Sequence, residues 1–267
     1  MLLMGIFELI TKLRFLLRYL LELSYDGTNY HGWQIQPNSS SVQETIEKCL
    51  SLILKEKIDL IGAGRTDAGV HASYFCAHFD SKSKINDQKD FIHKLNSFLP
   101  NDISIQSVSS VTKNFHSRFD AISRTYIYKI NLNKNPFLQK KSYYFKNKNL
   151  NFSKMNLAAM KLYNYIDFKC FSKSNSDVKT FNCKITSAKW SNQSDYWTFE
   201  ISSDRFLRNM VRAIVGTLIE IGKEKYKIDY LDEILKSRDR EKAGYSVPAH
   251  GLYLKNIVYP KNIFIDE

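Results

Sequence analysis

The chain has only four cysteines in 267 residues, Cys49, Cys76, Cys170 and Cys183, far apart and with no CxxC pair. That spacing excludes a zinc knuckle and a dithiol redox motif, and so few thiols fit the cytoplasm. None of the six histidines stands in HExxH or another paired metal spacing, so no metal site is expected. No stretch approaches the roughly 18 or more consecutive apolar residues of a membrane-spanning helix. The apolar N-terminal stretch is interrupted by Glu8, Lys12, Arg14, Arg18 and Glu22 and shows neither a clear signal core nor a small-residue cleavage site. An amphipathic surface anchor remains the alternative there. A phosphate loop ending in Gly-Lys-Ser/Thr is missing as well.

What is present is a globular composition with a strong basic surplus. Apolar residues make up 43% and charged residues 25%, enough for a sizeable core. Lys and Arg total 39 against 27 acidic residues, a net charge of +12, and the sequence pI is about 9.3. Such a surplus favours a polyanionic partner, and with no spanning segment that partner is nucleic acid rather than membrane.

The apolar patterning divides into two similar halves. In the first, Tyr19 to Tyr25 reads as a strand closed by the Asp26-Gly27 turn. Ser41 to Glu44 is a capping box opening a helix with Val42, Ile46, Leu50, Ile53 and Leu54 on its apolar face. Ile58 to Ile61 and Ala72 to Phe79 read as strands. A helix carrying Phe91, Leu95, Phe98 and Leu99 stops before Pro100, and Ile103 to Val111 is a further strand. In the second half, Thr125 to Leu132 alternates as a strand, and Ser153 is the expected cap of a helix running to Tyr163. Lys184 to Trp190 and Tyr196 to Ser202 suit a hairpin. A long helix is expected from about Arg205 to Ile221, with Gly222 as its C-cap, then a helix over 229–236 and a last strand from Gly251 to Tyr259. The reading is a duplicated α+β architecture with its seam near residue 115. Residues 134–151 and 172–180 read as polar surface loops.

The most informative stretch runs from Gly62 to Ala72. Gly62-Ala63-Gly64 suggests a dinucleotide fingerprint, but Asp67 holds the place of the third glycine or alanine, where its charge would repel a pyrophosphate. The residues after it also alternate as a strand, whereas the fingerprint requires a helix N-terminus. What remains is a glycine-rich loop presenting Arg65 and Asp67 two positions apart. Two readings stand at this level. Either Asp67 caps a turn and Arg65 is a solvated charge, or the loop offers a reactive carboxylate beside a cation that pairs with phosphate.

Five ordered motifs decide between them: Tyr19 to Gln34, Gly62 to His71, Phe115 to Tyr128, Phe206 to Gly216, and Ala249 to Leu254. With these motifs the chain resembles the tRNA pseudouridine synthase A family over nearly its whole length. The resemblance implies a pseudouridine synthase fold, with two ferredoxin-like (RRM-like) halves around a central, mostly antiparallel sheet bearing a basic cleft. The corresponding division is 1–17 as an N-terminal extension, 18–114 as the first half and 115–267 as the second. It implies an isomerase that works without cofactor or metal on uridines 38, 39 and 40 in the anticodon arm of tRNA. The partner is that stem-loop, the enzyme is a cytoplasmic homodimer, and the target nucleotide is flipped out of the stem.

The same resemblance assigns roles by position. Asp67 matches the catalytic aspartate, which acts as nucleophile or stabilises the detached base. Tyr126 matches an active-site tyrosine, with stacking on the target base and removal of the carbon-5 proton as its two roles; a buried strand tyrosine is the plainer reading. Arg205, Arg208 and Arg212, three and four apart, would share one helical face, either as a solvated basic stripe or with one arginine turned in to hold Asp67 ionised and aimed. The match favours Arg212 for that pair and leaves Arg208 to RNA phosphate. Leu252 matches an apolar pocket residue, against the plainer reading of a core leucine. His71 lines the loop, contacts RNA, or is structural. The loop around Val178 to Cys183 lacks an arginine often found nearby in the family. One rival reading is a non-catalytic RNA-binding protein. Another is a hydrolase with paired carboxylates, which predicts a second acid beside Asp67 and arginine-poor surroundings.

Overall fold

The computed structural model describes residues 16–147, 149–174, 178–193 and 196–265. The proposed extension over residues 1–17 falls almost entirely outside them. The first strand, β1 (Leu17–Tyr25), is paired antiparallel on both edges, with β3 (His71–Ser81) on one side and β4 (Ile103–Val111) on the other. Between β1 and β3 lies α1 (Val42–Leu54), where the Ser41 side chain accepts the Glu44 N–H at 3.2 Å as the capping box requires. Only Ile61–Gly62 (β2) forms a strand of the expected 58–61 segment. The reason is local: the N–H groups of Ile58 and Leu60 donate to Ser51 Oγ and Glu47 Oε1 on α1 rather than to another strand. Helix α2 (Gln88–Phe98) is capped by Asp87 and ends before Pro100.

The second half opens with β5 (Ser123–Asn131). The polar 134–151 segment is mostly loop but contributes a two-residue strand, β6 (Tyr143–Tyr144), parallel to β5. Helix α3 (Phe152–Lys161) is capped by Asn151, whose Oδ1 accepts the Lys154 N–H at 3.0 Å, so Ser153 lies inside the helix rather than at its cap. Strands β7 (Ile185–Gln193) and β8 (Tyr196–Ser203) form the antiparallel pair expected of a hairpin. Helices α4 (Met210–Gly222) and α5 (Tyr230–Ser237) precede the last strand, β9 (Leu252–Val258).

Helix α4 starts five residues later than the expected start at Arg205. Asp204 Oδ1 accepts the N–H groups of both Lys184 and Arg205 at 2.7 Å, which commits that stretch to a loop. Asn209 then adopts φ +67°, a left-handed conformation that Asn tolerates and that no helix can run through. Arg205 and Arg208 therefore do not share a helical face with Arg212. From Met210 onward α4 is buried on nearly every side. Fully burying an Ile or Leu side chain stabilises the fold by about 1.5–3 kcal/mol, so this helix anchors the second half firmly.

The result is an α+β protein with one mixed sheet, ordered β4-β1-β3-β9-β5-β8-β7, with β2 added to β3 and β6 to β5. The two halves meet where β3 runs parallel to β9 over His71↔Tyr253 and Ala72↔Leu254. Each half has its own apolar core. Tyr19, Leu21, Leu50, Phe75 and Leu95 belong to one; Tyr128, Met155, Trp190, Ile214 and Leu218 belong to the other. Tyr126 is half-buried and packs against both. Among the described residues no helix is long and apolar enough to cross a membrane.

Candidate active site

The glycine-rich loop leaves β2 and re-enters the sheet at β3, at the joint between the halves. Asp67 sits on a tight turn in which the Val70 N–H donates to the Asp67 carbonyl at 3.1 Å and Gly69 takes φ +75°. A second segment, Asp26 to Trp33, lies directly against this turn. The Gly69 N–H donates to the Tyr30 carbonyl at 3.2 Å, and the Trp33 N–H to the Thr66 carbonyl at 3.4 Å. The Tyr25 hydroxyl meets Thr66 Oγ1 at 2.9 Å. Gly32 has φ +98°, and a Cβ there would fall 2.2 Å from the Thr66 carbonyl oxygen. The backbone bearing Asp67 is thus held on both sides before any ligand arrives.

His71, buried at 2% exposure, is part of the same support. Its Nδ1 accepts the Gly27 N–H at 3.1 Å, while Nε2 faces the carbonyls of Lys140 and His250 at 3.0 and 3.2 Å. Nδ1 also lies 2.9 Å from Asp26 Oδ1. Burial pushes its pKa down, with the Asp26 carboxylate opposing. The structural reading of His71 is the one its surroundings match.

The Asp67 carboxylate, 28% exposed, faces two guanidinium groups. Arg212 Nη1 lies 3.2 Å from Oδ2, and Arg212 Nε simultaneously donates to the Val247 carbonyl at 2.7 Å. Arg208 Nε lies 3.7 Å from Oδ1 and is 60% exposed. Arg208 reaches Asp67 from the loop ahead of α4, and Arg212 from its first turn. Arg65 is exposed, and Arg205 is half-buried with its N–H on Asp204.

Around this pair opens a cleft of about 680 Å³ lined by Asp67, Lys173, Ser174, Asn209, Arg212, Arg240 and Ser246. That volume lies in the range of small-ligand sites. Among these described residues three are cationic and Asp67 is the one carboxylate, an arginine-rich setting unlike the one the paired-acid hydrolase predicts. Arg240 donates to the carbonyls of Ala243 and Gly244 at 3.4 and 3.0 Å and to Ser246 Oγ at 3.0 Å; Asn209 Nδ2 reaches the same hydroxyl at 2.6 Å.

Tyr126 projects from β5 with its ring edge-on to Phe206, centroids 5.2 Å apart. Burial pushes its phenol up to about 12, with the Arg124 cation pulling it down and the Asp67 charge pushing it further up. That coupling places the phenol in the field of both charges. Leu252 is 7% exposed, opposite Tyr128 in the sheet and within the core of the second half; it does not line the cleft.

The sequence model of the tRNA pseudouridine synthase family matches residues 23–120 and 158–260. The chain belongs to the tRNA pseudouridine synthase family. Relatives named tRNA pseudouridine synthase A agree over nearly their full length. That of Bacteroides fragilis is 50% identical over 248 residues, 92% of this chain and 98% of that protein. That of Parabacteroides distasonis is 47% identical over 92% of this chain and 98% of its own length. A more distant one, from Acetivibrio thermocellus, is 42% identical over 89% and 97%.

Several residues of this cleft carried no signal in the sequence. Lys173 stands on one loop and Arg240 and Ser246 on another, between α5 and β9, with no shared periodicity; Asn209 lies within the Phe206 to Gly216 motif but was not singled out there. The bracing role of Gly32 was carried by a motif the sequence does contain, Tyr19 to Gln34, but the surface it presses on is 34 positions away at Thr66.

Proposed function

We propose that this chain isomerises uridine to pseudouridine at positions 38, 39 and 40 of the tRNA anticodon arm, with Asp67 as nucleophile. The observation that carries this reading is the Asp67 carboxylate, presented on a braced turn and held between Arg212 and Arg208. The reaction breaks the N1–C1′ bond, turns the uracil over and forms the C5–C1′ bond. The proton lost from C5 balances the one gained at N1, so no net oxidant or co-substrate is required. Asp67 adds to the sugar or the base, or stabilises the detached fragment. Arg212 aims the carboxylate. Tyr126 stacks on the base and takes the carbon-5 proton. Arg65 and Arg208 meet RNA phosphate, and Leu252 backs the site from the core, opposite Tyr128 in the sheet.

A uridine stacked in a stem cannot reach this carboxylate, so the nucleotide is extruded into the cleft at a cost of a few kcal/mol. Phosphate contacts from the basic surface, net +12, offset that cost. The division 18–114 and 115–267 corresponds to two ferredoxin-like halves. With the two-residue β6 set aside, each half crosses the sheet with its fourth strand first, then its first, third and second: β4-β1-β3-β2 and β9-β5-β8-β7. A basic cleft between them, a homodimer engaging one tRNA and a cytoplasmic location complete the proposal.

The decisive experiment incubates purified protein with unmodified tRNA carrying tritium at uracil carbon 5. Tritium is expected to be released with no added cofactor. Asp67→Asn should stop release while still binding tRNA. Release by Asp67→Asn at the wild-type rate would assign the chemistry to another group.

A further inference from the structure

The turn from Phe115 to Asp120 carries a side chain whose exposure the fold does not explain. Phe119 is 73% exposed, yet the backbone that presents it is fastened from every direction. Ser117 is fully buried; its hydroxyl donates to the Ile61 carbonyl at 2.7 Å and its N–H to His78 Nδ1 at 3.1 Å. Tyr259 donates to the Ser117 carbonyl at 2.6 Å, and Arg18 to the Phe115 carbonyl at 2.7 Å. The His116 carbonyl accepts from the N–H groups of Phe119 and Asp120 at 3.1 and 3.0 Å. A disposable surface loop does not need this many anchors, and an apolar ring held in water on a rigid base suits a ligand that stacks.

The turn is also tied to the reactive loop. Arg124 Nη2 donates to the Arg118 carbonyl at 2.7 Å and to the Ala63 carbonyl at 2.8 Å, joining the Phe119 turn to the segment that leads into Asp67. The ring has polar company suited to a nucleotide. The Arg118 guanidinium lies 5.5 Å from its centroid, and the His116 imidazole 4.3 Å away at a 36° tilt. Both Arg118 and Arg65 are exposed. An aromatic face beside cations that can meet phosphate is the arrangement that binds single-stranded bases.

We propose that Phe119 and Arg118 form a stacking platform for an unpaired nucleotide of the RNA substrate, outside the cleft that takes the target uridine. The inference rests on the reading of the chain as a tRNA-modifying enzyme and extends its contact surface to a base that is not the reacting one. Each base stacked on an aromatic ring adds a factor of roughly 5 to 150 in affinity.

The test measures binding of unmodified tRNA in the Asp67→Asn background, where no turnover intervenes. Phe119→Ala is expected to weaken binding about ten-fold or more. Phe119→Leu, apolar but without a π face, should be as weak, while Phe119→Trp should restore affinity and lose indole fluorescence on addition of tRNA. The inference is overturned if Phe119→Leu binds as tightly as Phe119, or if Phe119→Ala binds normally. It is overturned in favour of a contact between copies of this chain if Phe119→Ala instead changes the sedimentation of the free protein and tRNA affinity falls only with it. Because Phe119 is largely exposed, these variants should fold. Tritium release by the unsubstituted protein separates the two levels: its absence sinks the proposed function, whereas release together with unaffected Phe119 variants sinks only the platform.

Discussion

Arg212 and Asp67, 145 positions apart in sequence, meet at 3.2 Å between Nη1 and Oδ2, while Nε of the same guanidinium holds the Val247 carbonyl at 2.7 Å. One planar group therefore ties the Asp67 carboxylate to the segment leading into β9. The grip on Val247 fixes the direction in which Nη1 points, and so the direction in which the carboxylate is drawn.

A lysine cannot reproduce this geometry, because a single ammonium at the end of a flexible stem does not span two acceptors in a fixed fork. Arg212→Lys is expected to lower kcat by about 10- to 100-fold, while the melting temperature stays within a few degrees of the unsubstituted protein. Tritium release at saturating tRNA, alongside thermal denaturation, checks both halves.

Tyr126→Phe keeps the ring against Phe206 and removes only the hydroxyl. With the phenol pushed up to about 12, it is protonated at neutral pH and cannot serve as a standing base. On the proposed reading it acts as the reaction develops, in concert with charge appearing on the base. The expected outcome is a fall in single-turnover rate of about 100-fold with tRNA affinity unchanged. A rate equal to that of the unsubstituted protein would leave stacking as the only role of Tyr126.

Gly32 touches no substrate in this proposal, yet it should matter to the rate. At φ +98° a side chain is strained, and a Cβ would meet the Thr66 carbonyl at 2.2 Å. Gly32→Ala should cost about 2–3 kcal/mol of stability and displace the turn that carries Asp67. Urea denaturation reads the first effect, and a drop in kcat on protein confirmed to be folded reads the second.

His78 supplies a pH dependence. Its Nδ1 accepts the Ser117 N–H, and Nε2 is buried without a partner. Burial drives its pKa down from 6.5 to about 4, with the charges of Arg18 and His116 adding to the effect. A folded-state pKa below the unfolded value means that the unfolded chain takes up the proton first. Stability is therefore complete above about pH 6.5 and declines as pH falls toward 4, by at most about 3 kcal/mol from this group. Denaturant midpoints at pH 7.5 and 4.5 should differ less for His78→Gln than for the unsubstituted protein. An equal difference would assign the slope to other groups.

Local patterns in the chain were legible wherever local forces decide. Ser41 with Glu44 marks the start of α1, Pro100 marks the end of α2, and Ile103 to Val111 alternates as the strand β4. The same patterns misplaced elements where a long-range partner intervenes. The 58–61 strand is drawn off to side chains of α1, and the long helix is cut short by Asp204 and by the left-handed Asn209. Spacing of three and four put Arg205, Arg208 and Arg212 on one helical face; the turn at Asn209 sends Arg208 to Asp67 by a different route.

By itself the sequence singled out Asp67 as the candidate acid, through an eleven-residue glycine-rich string, and determined the α+β alternation, through hydrophobic periods of two and three to four residues. Only the tertiary structure decided what surrounds that acid. The parallel joint of β3 with β9 carries the Asp67 turn against the segment that Arg212 grips, and Gly32 closes on Thr66. Periodicity reports which way a side chain faces within its own element. Which distant element it then meets is set by sheet register and by close backbone approach, and no local spacing encodes either.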